Sequence, residues 1–200
     1  MSKTVDYYFS PISPWTYLGH ARFADMAKRY GASINVKPVD FGKIFPVSGG
    51  LPLAKRAPQR QAYRMVELKR FRDFLKLPLK LQPKFFPAAA DLAAQFVLAA
   101  GRKGGSDAAM RLAGALLRAC WAEERNIADP ETLSAICKEQ GMNAEPLAVA
   151  AQSEAVKAEY QAVTEEAVAR NVFGAPSYVI DGEIFWGQDR LEFVERALAG

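Results

Sequence analysis

Ser13, followed directly by Pro14, is the residue of this chain whose neighbours best suit it to chemistry. A hydroxyl before a proline marks a helix start: the serine caps, and proline fits the first helical position, where its missing N–H would be unpaired anyway. Such a start offers unpaired N–H groups and about half a positive charge, so it favours an anion such as a thiolate. The hydroxyl can donate to that thiolate as well. On the local pattern alone, a plain N-cap is the commoner reading. Two further segments carry candidate groups. In Phe173-Gly174-Ala175-Pro176-Ser177 the proline leaves the backbone groups of Ala175 free and is a candidate for a cis bond, with a simple strand-opening proline as the alternative. In Trp186-Gly187-Gln188-Asp189-Arg190, at another helix start, Gln188 and Asp189 either cap the helix or grip a ligand's ammonium group.

Several other chemistries are excluded or weakened by composition. His20 is the only histidine, which removes mechanisms that need two and leaves any Ser-His-Asp or Cys-His scheme resting on one residue. Cys120 and Cys137 are the only cysteines and lie inside helical patterns, so neither a disulfide framework nor a thiolate metal cluster is encoded. Both are expected as buried apolar residues, and no metal site is expected. The formal charge of +4 is uneven: Lys55 to Lys84 holds ten basic residues against Glu67 and Asp73. That segment reads first as a solvated helix face, second as a source of cations for a carboxylate ligand. Nucleic acid comes third, since no nucleic-acid motif accompanies the basic residues.

The elements that must position these residues follow from periodicity. Thr4 to Phe9 reads as a buried strand ending at Ser10-Pro11-Ile12-Ser13-Pro14, and a helical pattern runs on to Tyr30 and stops at Gly31. Ser33 to Val39 alternates as a second strand, with Pro38 placing it at an edge or a bulge. Strand, helix, strand at this spacing is a right-handed crossover with a parallel pair. Phe41 to Pro58, rich in proline and glycine, reads as a loop; helical patterns follow at 59–76, 88–102, 106–124, 130–140 and 144–170. Strands return at Ser177 to Asp181 and Glu183 to Trp186, joined by a hairpin turn at Asp181-Gly182, and Gln188 to Leu198 forms a last helix.

The expected fold is therefore α/β: residues 1–40 and 171–200 form one small domain, split by a connecting loop and all-helical insertion over residues 41–170. Ligands of open α/β sheets gather beyond the C-terminal ends of the parallel strands, where Ser13 falls. With 200 residues, half of them apolar and about a quarter charged, the chain can bury a real core. No apolar run approaches the ~20 residues of a membrane span. The N-terminus lacks the marks of a signal peptide, so a cytoplasmic location is expected.

This order of elements, with a proline before the third strand, resembles a thioredoxin fold carrying a helical insertion, as in the DsbA-like group. Tyr8-Phe9-Ser10-Pro11-Ile12-Ser13-Pro14-Trp15-Thr16-Tyr17-Leu18 resembles the opening of the 2-hydroxychromene-2-carboxylate isomerases, relatives of the kappa-class glutathione transferases. Phe173-Gly174-Ala175-Pro176 and Trp186-Gly187-Gln188-Asp189-Arg190-Leu191 match that family's second and third motifs in order and spacing. Ser13-Pro14-Trp15-Thr16 occupies the frame where disulfide oxidoreductases carry Cys-x-x-Cys; with both cysteines absent, disulfide exchange by a protein thiolate is excluded there.

The resemblance implies glutathione as cofactor, with Ser13 catalytic and hydrogen-bonded to its sulfur. Ala175 and Pro176 would lie along the cysteinyl unit, and Trp186, Gly187, Gln188 and Asp189 would hold the γ-glutamyl end. Arg60 would turn toward glutathione or substrate. Lys43, Lys55 and Phe86 fall near substrate positions, the lysines at the carboxylate, in a cleft lined by Phe9, Trp15, Tyr17, Phe85, Phe86 and Trp186. Relatives often carry asparagine where Gly50 stands and tyrosine where Phe86 falls. The implied activity is isomerisation of an aromatic-derived carboxylate by reversible thiolate addition. A kappa-like glutathione transferase and a non-catalytic thioredoxin-like binding module are the alternatives. The expected partners are the small aromatic acid and a second copy in a homodimer, not nucleic acid or membrane.

Overall fold

The chain is described by a computed structural model covering residues 2–200. Its central strand is β1 (Thr4–Phe9). Alternation along β1 sends Val5, Tyr7 and Phe9 into one core cluster and Tyr8 into a second on the opposite face. All four are fully buried, so the strand is covered on both sides. β2 (Ser33–Pro38) runs parallel to it, in register from Thr4 opposite Ser33 to Phe9 opposite Pro38, after a crossover through α1 (Pro14–Arg29). Pro38 lacks an N–H for a second neighbour, and β2 is accordingly an edge. β3 (Ser177–Ile180) pairs antiparallel with the other side of β1, and β4 (Glu183–Trp186) pairs antiparallel with β3. The sheet order is β2-β1-β3-β4. Asp181 and Gly182 both take positive φ, 51° and 86°, the backbone that a two-residue hairpin needs to match strand twist.

Between β2 and β3 stand α2 (Phe41–Ser48), α3 (Pro58–Leu75), α4 (Asp91–Trp121), α5 (Pro130–Glu139), α6 (Ala144–Ala151) and α7 (Glu154–Ala169); α8 (Leu191–Ala199) closes the chain. The expected loop over 41–58 is corrected: it contains α2 and a 3-10 turn, Leu53–Lys55. Asp40 caps α2 by accepting from the Gly42 N–H at 2.7 Å, and buried Ile44 anchors it in the second core cluster. Pro46 lies in the last turn of so short a helix that it removes only one hydrogen bond. The two helices expected over 88–102 and 106–124 stand as the two arms of α4, which is broken at Gly105, where the backbone leaves helical geometry at φ 73° and ψ −172°. The single helix expected over 144–170 is two, since Ser153 caps a new start by accepting from the Val156 N–H. The last helix begins at Leu191, after a 3-10 turn over Gln188–Arg190.

Helix α4 is the spine of the main core. Leu112, Leu116 and Trp121 on it are fully buried, each worth ~1.5–3 kcal/mol of transfer free energy. It contacts α1 and β2 as well as α5, α6 and α7, so it ties the helical block to the sheet. On the other face of β1, Tyr8 donates to Glu166 on α7 at 2.9 Å, and Lys37 on β2 bridges Asp6 and Glu166. Among the described residues no helix is long and apolar enough to cross a membrane.

Candidate active site

The chain leaves β1 at its C-terminal end and turns sharply through residues 10–13. The Ser13 N–H donates to the Ser10 carbonyl at 3.0 Å, and Trp121 Nε1 reaches across from the end of α4 to donate to the Ile12 carbonyl at 3.2 Å. Two hydrogen bonds thus hold the turn that presents Ser13. Ser13 has extended backbone (φ −78°, ψ 121°), and its Oγ accepts from the Thr16 N–H at 3.2 Å, so it is the N-cap that the Ser-Pro pair predicts. The Tyr17 N–H is taken by the Ser13 carbonyl, and Pro14 has none to offer. What is left at this helix start is the Trp15 N–H and the proton of the Ser13 hydroxyl. Neither has a partner among the described residues.

Register brings the second segment alongside. Tyr8 pairs with Ser177, the last pair of that antiparallel register, so Ala175 and Pro176 lead into β3 at the end of β1 from which the Ser13 turn departs. The Ala175–Pro176 bond is cis. The turn is fixed from both ends: Ser177 Oγ donates to the Gly174 carbonyl at 2.7 Å, and the Gly187 N–H donates to the Pro176 carbonyl at 2.8 Å. Among the described residues the N–H and C=O of Ala175 itself remain unpaired, an open stretch of backbone edge beside the helix start. The indole of Trp186 lies directly on Gly174, where any side chain would collide with it, and meets Phe173 edge-on at 4.8 Å. Trp186 is half exposed beside this turn.

The third segment divides its residues. Gly187 has φ 107°, and the Asp189 carboxylate folds back against it in the space a Cβ would fill. Asp189 also accepts from Arg190 at 2.8 Å, and it stays exposed. The Gln188 side chain is turned the other way, into the fold. It is buried with its Cβ against Gly19, and its Oε1 and carbonyl both accept from the Arg22 guanidinium. Burial pulls the Arg22 pKa down, with Tyr178 and Asp189 acting the other way.

The basic residues are also sorted by the structure. Lys43 on α2, Lys55 at the end of the 3-10 turn and Arg60 in the first turn of α3 are all exposed and, among the described residues, have no carboxylate partner. Phe86 is half-buried with its ring 4.7 Å from that of Trp121. Phe9 does not line the cleft; it is fully buried, stacked on Tyr7 at 4.7 Å. Trp15 meets Phe71 of α3 edge-on at 6.2 Å, which docks α3 against the start of α1. The residue missed in the sequence is Arg64. Its guanidinium lies over Phe86 at 5.4 Å and Trp121 at 5.9 Å, and burial, with Arg56 nearby, lowers its pKa to about 10. The signal was there: Arg64, Leu68 and Phe71 share one face of α3 by helical spacing, the face that turns inward. Cys120 and Cys137 are buried, and burial raises their thiols to about 12 and about 11, which leaves them inert.

A four-stranded mixed sheet, a crossover helix capped at the end of its central strand, a cis-proline beside that cap and a helical block between the halves define a thioredoxin-fold protein. The chain matches the DSBA-like thioredoxin domain over residues 4–199 and belongs to that family. Within it, the chain groups with the 2-hydroxychromene-2-carboxylate isomerases. It is 30% identical over 199 residues to the 2-hydroxychromene-2-carboxylate isomerase of Sphingobium xenophagum, with 99% of each chain covered. The solved structure of a 2-hydroxychromene-2-carboxylate isomerase superposes with a TM-score of 0.84 at 26% identity, covering 98% of this chain and 94% of that one. Glutathione S-transferase kappa 1 of Homo sapiens is 24% identical over 208 residues, with 99% of this chain and 92% of the human protein covered.

Proposed function

We propose that this protein is a glutathione-dependent isomerase of aromatic-derived carboxylates of the 2-hydroxychromene-2-carboxylate type. The observation that carries the reading is the pair of donors without partners among the described residues, Ser13 O–H and Trp15 N–H, at the helix start near the open backbone of Ala175. This is a place for a sulfur anion next to a place for a peptide, in a chain whose own thiols are buried. The residues present fit glutathione, a tripeptide whose central thiol lies between two peptide-like units. Ala175 would pair with its backbone in the manner of an added strand. Asp189 would meet its ammonium, and the Ser13 hydroxyl and Trp15 N–H would hold its sulfur.

When bound, glutathione supplies a thiolate that adds reversibly to the substrate's conjugated double bond, permits rotation and is released unchanged. The protein's part is electrostatic and positional. Donors fixed in advance at the sulfur favour its ionised form and hold the thiol pKa below the ~8.5 of a free thiol. The cap and the Trp121 contact keep those donors in place, so no reorganisation is needed at the moment of reaction. Trp15, Trp186 and Phe86 supply aromatic surface for the ring system. A cytoplasmic location and a homodimer go with the same reading. Likeness to the human kappa protein supports transferase activity as the second reading; it differs in one respect, that glutathione would be consumed.

Calorimetry with glutathione, combined with the ultraviolet thiolate band of the complex followed across pH, tests the proposal. Binding with the thiol titrating well below the free value is expected. Lack of binding would return the protein to a thioredoxin-fold binding module.

A further inference from the structure

The charges on α3 are unevenly partnered. In its C-terminal half, Arg70 meets Glu67 at 2.7 Å and Arg72 meets Asp73 at 2.8 Å. Those two acids are the only ones among the ten basic residues between Lys55 and Lys84. Arg56, just before α3, and Arg64, within it, have no carboxylate at ion-pair distance among the described residues, although both are drawn in from solvent. Arg56 Nε donates to the Leu51 carbonyl at 2.8 Å, with its guanidinium over Phe45 at 6.0 Å. The polar contact of Arg64 is to the sulfur of Met65 at 3.7 Å, a weak acceptor. Its guanidinium is instead walled by Phe86 and Trp121. Burial and Arg56 depress its pKa, yet at about 10 it stays cationic at neutral pH. Two guanidinium groups, partly stripped of water and mutually repulsive, are an arrangement that an anion relieves.

The place of this cation matters as much as its state. Trp121 touches both parts of the site: one face carries Arg64, and its Nε1 holds the Ile12 carbonyl, one residue before Ser13. One indole thus links the guanidinium to the turn that presents the Ser13 hydroxyl. We propose that Arg64, flanked by Arg56, seats the carboxylate of the aromatic substrate between the walls of Phe86 and Trp121, and that it selects an acid over a neutral analogue. Identifying the anion as an aromatic acid rests on the function proposed above. The planar fork of a guanidinium offers two parallel N–H groups to a carboxylate, and a partly desolvated site gives that pairing more weight than exposed Lys43 or Lys55 could. The glycyl carboxylate of glutathione has the same chemistry, so the test must separate the two sources.

The probes are chromone-2-carboxylate and its neutral counterpart chromone-2-carboxamide, titrated by calorimetry into the wild type, Arg64→Gln and Arg64→Lys, with and without glutathione. The wild type is expected to favour the acid by about tenfold or more, the value of one charge-assisted hydrogen-bonded pair. Arg64→Gln should level acid and amide, Arg64→Lys should keep part of the preference, and glutathione affinity should be unchanged in both. Equal binding of acid and amide by the wild type overturns the proposal without recourse to a variant. A folded Arg64→Gln protein that keeps the preference overturns it too. Weakened glutathione binding in Arg64→Gln with the preference intact assigns the cation to the glycyl carboxylate, and the substrate role falls. An acid preference that survives without glutathione, and is lost in Arg64→Gln, supports the role of Arg64 even where glutathione itself fails to bind.

Discussion

One oxygen on Ser13 has two duties, and they use different parts of it. A lone pair accepts from the Thr16 N–H, while the hydroxyl proton has no partner among the described residues. Ser13→Ala removes both. Loss of the cap should cost about 1 kcal/mol of stability, which a domain of about 5–15 kcal/mol survives. Loss of the donor removes a charge-assisted bond to the proposed thiolate, about 1.5–3 kcal/mol, so turnover should fall roughly tenfold to a hundredfold. Thermal melting and steady-state kinetics on the same preparation separate the two. A lower melting temperature with full turnover would leave Ser13 a cap and nothing else. Ser13 was legible in the sequence because capping is local chemistry, written in two adjacent residues. The orientation of Gln188 was not, because it is decided by Gly19 and Arg22, which lie on α1, far away in sequence.

Among the elements, those with a strong apolar period were legible and those ruled by a single contact were not. β1, α1, β2 and the β3–β4 hairpin stand where alternation, capping and turn residues put them, because each of those signals acts over a few residues. α2 was hidden under Pro46, Gly49 and Gly50; it exists because Asp40 caps it and Ile44 has a core to enter. The link between α4 and the Ser13 turn was beyond reach for the same reason. Trp121 donates to the Ile12 carbonyl across 109 residues, a separation no local pattern encodes. That bond carries a prediction. Trp121→Phe keeps an aromatic face for Phe86 and Arg64 but deletes the Nε1–H, leaving the Ile12 carbonyl without its donor at a cost of about 1 kcal/mol. The turn should then open more readily, so the amides of Ser13 and Thr16 should exchange their hydrogens about fivefold faster while the β1 amides keep their protection. Unchanged exchange at both positions would show that Trp121 does not hold the turn.

At the scale of the whole molecule the only histidine is a joint. His20 on α1 is buried, with Nδ1 at 3.1 Å from the Tyr7 hydroxyl of β1 and Nε2 at 3.0 Å from the Met110 carbonyl of α4. The carbonyl can only accept, so Nε2 carries the proton and Nδ1 accepts from Tyr7. Sheet, crossover helix and spine helix therefore meet at one neutral imidazole. Burial lowers its pKa from 6.5 to about 4, the Met110 carbonyl opposing the shift. Between those two values the unfolded chain binds a proton that the folded chain refuses, so stability rises with pH across that window and is lost as pH falls through it. The full difference is on the order of 3 kcal/mol from this one group. Thermal melts of the wild type should thus steepen in their pH dependence below about pH 6.5. His20→Gln, which cannot take up that proton, should melt lower at neutral pH but with a flatter profile between pH 6.5 and 4. Parallel profiles for the two proteins would mean that the imidazole can ionise in the fold, by a rearrangement that brings water or a new partner to it. The flatter profile would show instead that the seam between the sheet and the helical block stays closed to protons between pH 6.5 and 4.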